Sequence, residues 1–423
     1  MNFLDWPSKA AARAFGVVVA LALLVPGAAL GQTSSTGCSW LGESDQRDVN
    51  IGAPDLNAQY LYAPLDGLAG SQIAITGSYP HARYFSFTLY GSNQQSLTSI
   101  YDRQIAPDRG GYNPFSKAGA PGQSSRYTVH VLFEDAPKRP APNTLYAGKP
   151  GAAGTLGFLV LRIYLPHSPA SPSGDVPWPQ VHVLSADGTP QLSEGACATI
   201  PPSFGAWYWQ QKAAQDAPAG QATPADATTA PPAWTRSFDN GFGNDQNSYL
   251  QVLVSHHWGE LVVSHFKAPT FPDEAAGRPV RAGGQLRYWS VCTYDSSGTA
   301  VFGCVADRWA RQRKGWVTYV VSEAGHRPRN ATAAHGVSWL PWGPDNTIQI
   351  MERNMLPAAS FTGASQRIRS PGLNPRAAQL MGDYYPTSAY CTRATFERGG
   401  WQACLPRLAR ELRQREAKKH HAA

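Results

Sequence analysis

The Asp-Arg pairs Asp102-Arg103 and Asp307-Arg308 are each followed later by an arginine in an apolar run, Arg162 in LVLRIYLP and Arg353 in QIMERNMLP. A carboxylate and a guanidinium on neighbouring strands can grip an anionic or sugar ligand through paired hydrogen bonds. Arg83, Asp102, Arg162, Asp307 and Arg353 are therefore binding candidates. The opposing reading, a structural ion pair at a sheet end, is the stronger one. A feature that occurs twice is explained more simply by a shared fold than by two active sites.

Three histidines, His256, His257 and His265, form a second set, with His326 and His335 further on. Two of them could ligate a metal. On a strand, however, His256 and His257 point to opposite faces and cannot easily serve one ion. No resident metal or other cofactor is expected. Tyr288, Trp289, Trp339 and Trp342 form a third set. Exposed, their rings could stack on the C–H faces of sugars; buried, they fill a core, which is the commoner fate of tryptophan in a sandwich.

Other chemistries find little support. There is no G-x-S-x-G elbow, and Ser86 and Ser290 lie inside strand-like runs, a poor place for an activated nucleophile. No phosphate-binding loop or dinucleotide fingerprint is present. Nothing points to nucleic acid. The formal charge is +7, but the tail Leu405–Ala423 carries six Arg/Lys against two Glu, so the basicity describes the tail more than a binding face.

The elements that must carry these residues are short strands. Aromatics make up 11% of the 423 residues, charged residues only 15%, and Gly 40 and Pro 35 imply many turns. The chain also looks internally duplicated. Arg83-Tyr84-Phe85-Ser86 matches Arg287-Tyr288-Trp289-Ser290, Tyr90 matches Tyr294, Asp102-Arg103 matches Asp307-Arg308, Arg162 matches Arg353, and Pro166 matches Pro357. Upstream, pairing Ala63-Pro64 with Ala268-Pro269 leaves about 16 extra residues in the second copy, Gln251–Phe266, which read as an added hairpin bearing the histidines. The run VCTYDSSGTAVFGC reads as a hairpin with its turn at Asp295–Gly298.

These observations predict an all-β protein of two tandem homologous β-sandwich domains with a short C-terminal helix. The expected limits are a signal peptide over 1–31, a first sandwich over 32–203, a helix or strand end and Ala/Pro/Thr linker over 204–235, a second sandwich over 236–370, and a disulfide loop with a basic helix over 371–423. Lys9 and Arg13 precede the apolar run Ala14–Gly31, and Ala29-Leu30-Gly31 offers small residues for cleavage. No stable membrane span is expected after cleavage. The six cysteines, Cys38, Cys197, Cys292, Cys304, Cys391 and Cys404, favour three disulfides in an exported protein, each cysteine with the next being the preferred pairing among those open.

The strand RYWSVCTYD and the later segment VSWLPWG resemble a bacterial domain of unknown function. Its marks are an aromatic-Trp-Ser strand and a Trp-Leu-Pro-x-Gly segment before a last strand ending in Pro. Here Ser338 stands where that domain usually has Asn, followed by Trp339, Leu340, Pro341 and Gly343. With APTFPD as well, most of the chain resembles uncharacterised exported bacterial proteins. The resemblance implies a jelly-roll-like β-sandwich and no established chemistry. The functional expectation is a non-catalytic binding or structural role at the cell envelope, toward a glycan or an anionic surface polymer. The alternative is an extracellular polymer-acting hydrolase with a site in the second domain.

Overall fold

The computed structural model describes residues 38–40, 43–44, 53–66, 72–91, 93–120, 122–148, 156–184, 187, 190–196, 228–237, 241–274, 277–296, 298 and 300–406. The expected signal peptide, most of the linker, the tail beyond 406 and Cys197, and with it the Cys38–Cys197 pairing, lie outside those residues. Among the described residues strands in four sheets dominate, with two short α-helices, so the fold is an all-β sandwich architecture with a short C-terminal helix. Among the described residues no helix is long and apolar enough to cross a membrane.

Each half of the chain contributes an inner and an outer sheet. The inner sheet of the first half runs Glu43–Ser44, Ala58–Asp66, Leu156–Pro166, Ala82–Gly91, Ser96–Tyr101. That of the second runs Val301–Ala306, Tyr288–Asp295, Thr347–Met355, Asn247–Ser255, Thr235–Arg236, Gly372–Leu373. The four long strands correspond one to one, in reversed listing. The outer sheets correspond too: Gln72–Ser78 pairs antiparallel with Arg126–Leu132, as Leu261–Lys267 does with Trp316–Ser322. In both, a short strand, Thr144–Tyr146 or Val337–Pro341, then adds in parallel.

Alternation along the inner strands explains the layering. Phe85, Phe87 and Leu89, with Leu61, Leu159, Leu161 and Ile163, face the outer sheet and form the first core with Ile75, Val129 and Val131. Trp289, Val291, Leu250, Val252, Ile348 and Ile350 form the second with Val262, Phe266, Val317 and Tyr319. The opposite faces of the inner sheets do not meet water. Tyr60, Tyr62, Tyr84, Tyr90, Phe158 and Tyr164 of the first pack with Phe242, Tyr288, Ala306 and Met355 of the second. The two sandwiches thus dock inner sheet to inner sheet. That is why Ala82–Gly91 and Tyr288–Asp295 are buried on both faces although their sequences alternate.

One expectation is corrected. Gln251–Phe266 is not an added hairpin. Asn247–Ser255 belongs to the inner sheet and Leu261–Lys267 to the outer, so the chain crosses the sandwich there, as it does between Ala58–Asp66 and Gln72–Ser78. The true counterpart of Ala268-Pro269 is Tyr79-Pro80. The Tyr79 N–H donates to the Ser125 carbonyl as that of Ala268 does to Gly315, both at 2.9 Å. The insertion of the second half follows this point, at 270–284, where the first half has little more than His81. The basic helix expected after the disulfide loop lies outside the described residues. A helix spans Arg393–Cys404, within the 371–423 segment, with a break in helical geometry at Gly400. Thr392 caps it by accepting from the Thr395 N–H.

Candidate functional site

The repeated charged residues meet across the junction of the two halves. Arg83 Nη1 donates to both carboxylate oxygens of Asp307, at 3.2 and 3.0 Å. Arg287 Nη1 donates to both oxygens of Asp102, at 3.1 and 3.2 Å. Each guanidinium also donates to the other arginine's backbone carbonyl at 3.3 Å. This is the reciprocity of a two-fold interface, produced here within one chain. Each aspartate is fully buried and also accepts the N–H of the aromatic residue two places after an arginine on the nearby strand, Phe85 to Asp102 and Trp289 to Asp307. Burial pushes Asp307 up, to about 7, against the pull of the Arg83 guanidinium. Asp102 is raised by the same cause and opposed by Arg287.

Arg162 and Arg353 repeat the pattern. Arg162 Nη2 donates to the Tyr90 hydroxyl and the Phe242 carbonyl, both at 2.7 Å, and Arg353 Nη2 to the Tyr294 hydroxyl and the Ala53 carbonyl, both at 2.5 Å. The two carbonyls are presented by residues in the left-handed region, Phe242 at φ 51° and Ala53 at φ 52°. Arg162 Nη1 donates to Thr88 Oγ1, and Arg353 Nη1 to Cys292 Sγ, each at 3.2 Å. Arg83, Asp102, Arg162, Asp307 and Arg353 are thus joined to the opposite sandwich, and their buried guanidiniums and carboxylates bond to protein atoms.

The insertion at 270–284 clasps this junction on one side only. Arg83 Nε donates to Glu274 at 2.5 Å, the Phe271 ring lies 5.1 Å from the Arg83 guanidinium carbon, and Val280 enters the first core. Arg103 donates to the carbonyls of Val280 and Phe115. A recess of about 180 Å³ lies beneath the clasp, lined mainly by apolar groups such as Pro80, Pro114, Phe115 and Leu165.

The histidines do not converge. His256 stacks on Trp342, with ring centroids 3.9 Å apart, and bonds the Gly259 carbonyl. His257 lies edge-on to Trp258. His265 is buried between Trp316 and Trp401, at 5.1 and 3.9 Å, with Nδ1 at 2.9 Å from Thr318 Oγ1. Burial lowers it to about 4. Among the described residues, the one grouping of three ligating side chains is Asp55 with Cys292 and Cys304, whose sulfurs are already joined in a disulfide. Cys391–Cys404 is the second disulfide and ties the helix Arg393–Cys404 to the outer-sheet strand Thr387–Cys391.

Of the aromatic set, Tyr288, Trp289 and Trp342 are fully buried, so they serve packing and not stacking on a ligand. Trp339 alone reaches a surface feature. With Trp309, Arg311, Arg327, Ser338 and Thr332 it lines an open groove of about 460 Å³ beside Cys304. The Trp309 ring is half exposed, at 49%, on the turn Asp307–Trp309 that directly follows the repeated strand Val301–Ala306. Ser338 Oγ fixes one wall by accepting the Arg311 N–H at 2.9 Å, and Trp339 Nε1 donates to Ser322. Arg327 stacks on Trp339 at 4.8 Å and Arg308 on Trp309 at 5.6 Å. Trp309, Arg311 and Arg327 escaped the sequence reading. The available signal was at the repeat itself, where Asp102-Arg103 continues with Gln104 but Asp307-Arg308 with Trp309.

Fold and site together define a two-sandwich β protein whose second half carries an aromatic and cationic surface groove. No protein-family model matches the chain, and no curated protein matches it. Among solved structures it is similar to an uncharacterised protein from Burkholderia cenocepacia, at 17% identity and TM-score 0.48 over 78% of this chain and 82% of that one. It is also similar to a protein from Vibrio parahaemolyticus, at 13% identity and TM-score 0.40 over 82% of this chain and 93% of the other.

Proposed function

We propose that this is an exported, non-catalytic binding protein of the cell envelope, and that it takes a saccharide in the groove between Trp309 and Trp339. The observation that carries the reading is Trp309. A large apolar ring is kept half in water, beside a second tryptophan and the hydroxyl-bearing Ser338 and Thr332. Rings with polar neighbours match sugars, whose C–H faces stack and whose hydroxyls need hydrogen bonds. Two disulfides support export, since such bonds persist in oxidising compartments. The signal-like N-terminus agrees.

The alternative, a hydrolase acting on an extracellular polymer, would need a pair of carboxylates flanking the bond to be cut. The residues lining the groove include no Asp, Glu or His. A glycan array probed with mature protein and with Trp309→Ala tests the binding reading. The expected result is saccharide binding by the wild type and its loss in Trp309→Ala, with unchanged unfolding midpoints. Absence of any saccharide binding, or equal binding by the variant, would overturn it.

A further inference from the structure

We infer that the ligand of this groove is an acidic saccharide, one bearing carboxylate or sulfate groups along its chain; the inference rests on the saccharide reading above and narrows it. Its basis is the pair of guanidiniums that line the groove with no acidic side chain beside them.

At the junction and beside the C-terminal helix, arginine charge is matched. Arg83, Arg287 and Arg353 each have an aspartate within salt-bridge distance, and Arg329 and Arg393 share Glu397. Arg308, Arg311 and Arg327, gathered around the two tryptophans, have no carboxylate within that distance among the described residues. The acids that stand close by in the sequence or fold are engaged with other side chains. Glu323 lies 3.4 Å from His256 and 3.3 Å from His326, while Glu397 is held by Arg329 and Arg393. Asp307, next to Arg308 in sequence, is buried and turned to Arg83. Two guanidiniums, Arg311 and Arg327, thus line the groove with two indoles and no acidic side chain, while Arg308 stacks on Trp309 and lines the separate recess that holds Glu274.

The equivalent corner of the first half is spent differently. Arg103 donates to the carbonyls of Phe115 and Val280, and Gln104 replaces the tryptophan. The cationic, aromatic corner is therefore a property of the second half and not a by-product of the fold. Guanidinium offers a planar fork of donors that fits carboxylate and sulfate. The tryptophans supply ring stacking, so the pattern of charge beside ring matches a sugar whose rings carry anions. A free anion would use the arginines and leave the indoles idle.

The test compares acidic oligosaccharides with their own uncharged counterparts on full-length mature protein by titration calorimetry. Suitable probes are uronate oligomers with their carboxyl-reduced forms and sulfated oligomers with their desulfated forms. Inorganic sulfate and a single-stranded oligonucleotide of equal charge serve as further arms. The expected result is about tenfold or more preference for the acidic member of at least one pair, weakening as salt rises. Arg311→Gln should bring that preference toward unity while leaving binding of the uncharged form, and Trp309→Ala should lose both. If uncharged forms bind as well as acidic ones, the inference fails and the saccharide reading survives. If no saccharide binds, both fail. Equal binding of the oligonucleotide would make this a general polyanion site and overturn the inference. A melting curve for each variant separates loss of binding from loss of fold.

Discussion

The two sandwiches agree where they touch and differ where they do not. At the junction, Arg83 and Arg287, Asp102 and Asp307, Arg162 and Arg353, and Tyr90 and Tyr294 do the same work in opposite directions. Away from it, the second half has Trp309 for Gln104 and Cys292 for Thr88. It also carries a clasping insertion at 270–284 and, inside its core, Glu352 where register equivalence puts Leu161 in the first. Glu352 is buried and pushed up to about 8 by burial; its Oε1 accepts from Asn354 and its Oε2 has no partner, nor has the nearby Tyr319 hydroxyl. Shared residues here serve docking of one half on the other. The second half alone carries the groove, so its unshared residues are the ones to question about function.

The largest expected effect comes from breaking the junction unevenly. Arg83 holds both Asp307 and Glu274, whereas Arg287 holds Asp102 without a clasp. Arg83→Ala should cost about 3–5 kcal/mol in urea unfolding, because it leaves a buried carboxylate without its cation. Arg287→Ala should cost less; equal losses would mean that the clasp contributes nothing.

The core difference comes next. An acid whose folded pKa is raised above its unfolded value favours the fold while both states are protonated, below about pH 4.5. That advantage is lost as pH rises toward the folded value near 8. Glu352→Gln keeps an acceptor for Asn354 and removes the ionisation. It should therefore stabilise by on the order of 3 kcal/mol at pH 8, the gain vanishing near pH 4. A pH-independent gain would show that ionisation is not the cause.

His265 tests the opposite limb. Its folded pKa lies below the unfolded one, so stability is full above about pH 6.5 and is lost as pH falls toward 4. The loss should be about 2–3 kcal/mol, and His265→Phe should flatten that slope. The equivalent strand position in the first half is Thr76, so this acid sensitivity belongs to the second half. The smallest expected effect is Trp309→Ala, within about 0.5 kcal/mol of wild type, since it fills no core. Trp289→Ala, cut from the packed centre, should cost about 3–5 kcal/mol. A large loss from Trp309→Ala would make its ring structural and weaken the binding reading.

Much of this architecture was legible because strand period is local chemistry. The match of Arg83–Ser86 with Arg287–Ser290 marked a repeated strand, and the turn Asp295–Gly298 was readable from an aspartate and a glycine. Asp295 accepts the Ala300 N–H, and Gly298 sits at φ 78°. Matching of Arg83 with Arg287 and Asp102 with Asp307 was equally plain. Their partners were not, for nothing in either motif says that an arginine will pair with the aspartate of the other copy. The misplaced hairpin has the same origin. Ala63-Pro64 resembles Ala268-Pro269 in letters, but hydrogen bonding to distant strands sets which residues are equivalent. Trp289 and Trp309 differ in sequence only by their neighbours. One fills a core and the other lines a groove, a distinction made by which sheet lies opposite.

The sequence by itself determined an all-β chain, two similar halves and which residues those halves share, since period, turn chemistry and repetition act over a few residues. Only the tertiary structure decided that the shared charges cross between halves, that the histidines part, and that Trp309, Arg311, Arg327 and Trp339 line one surface groove. Those outcomes depend on desolvation and pairing between segments far apart in the chain, and no local pattern encodes them.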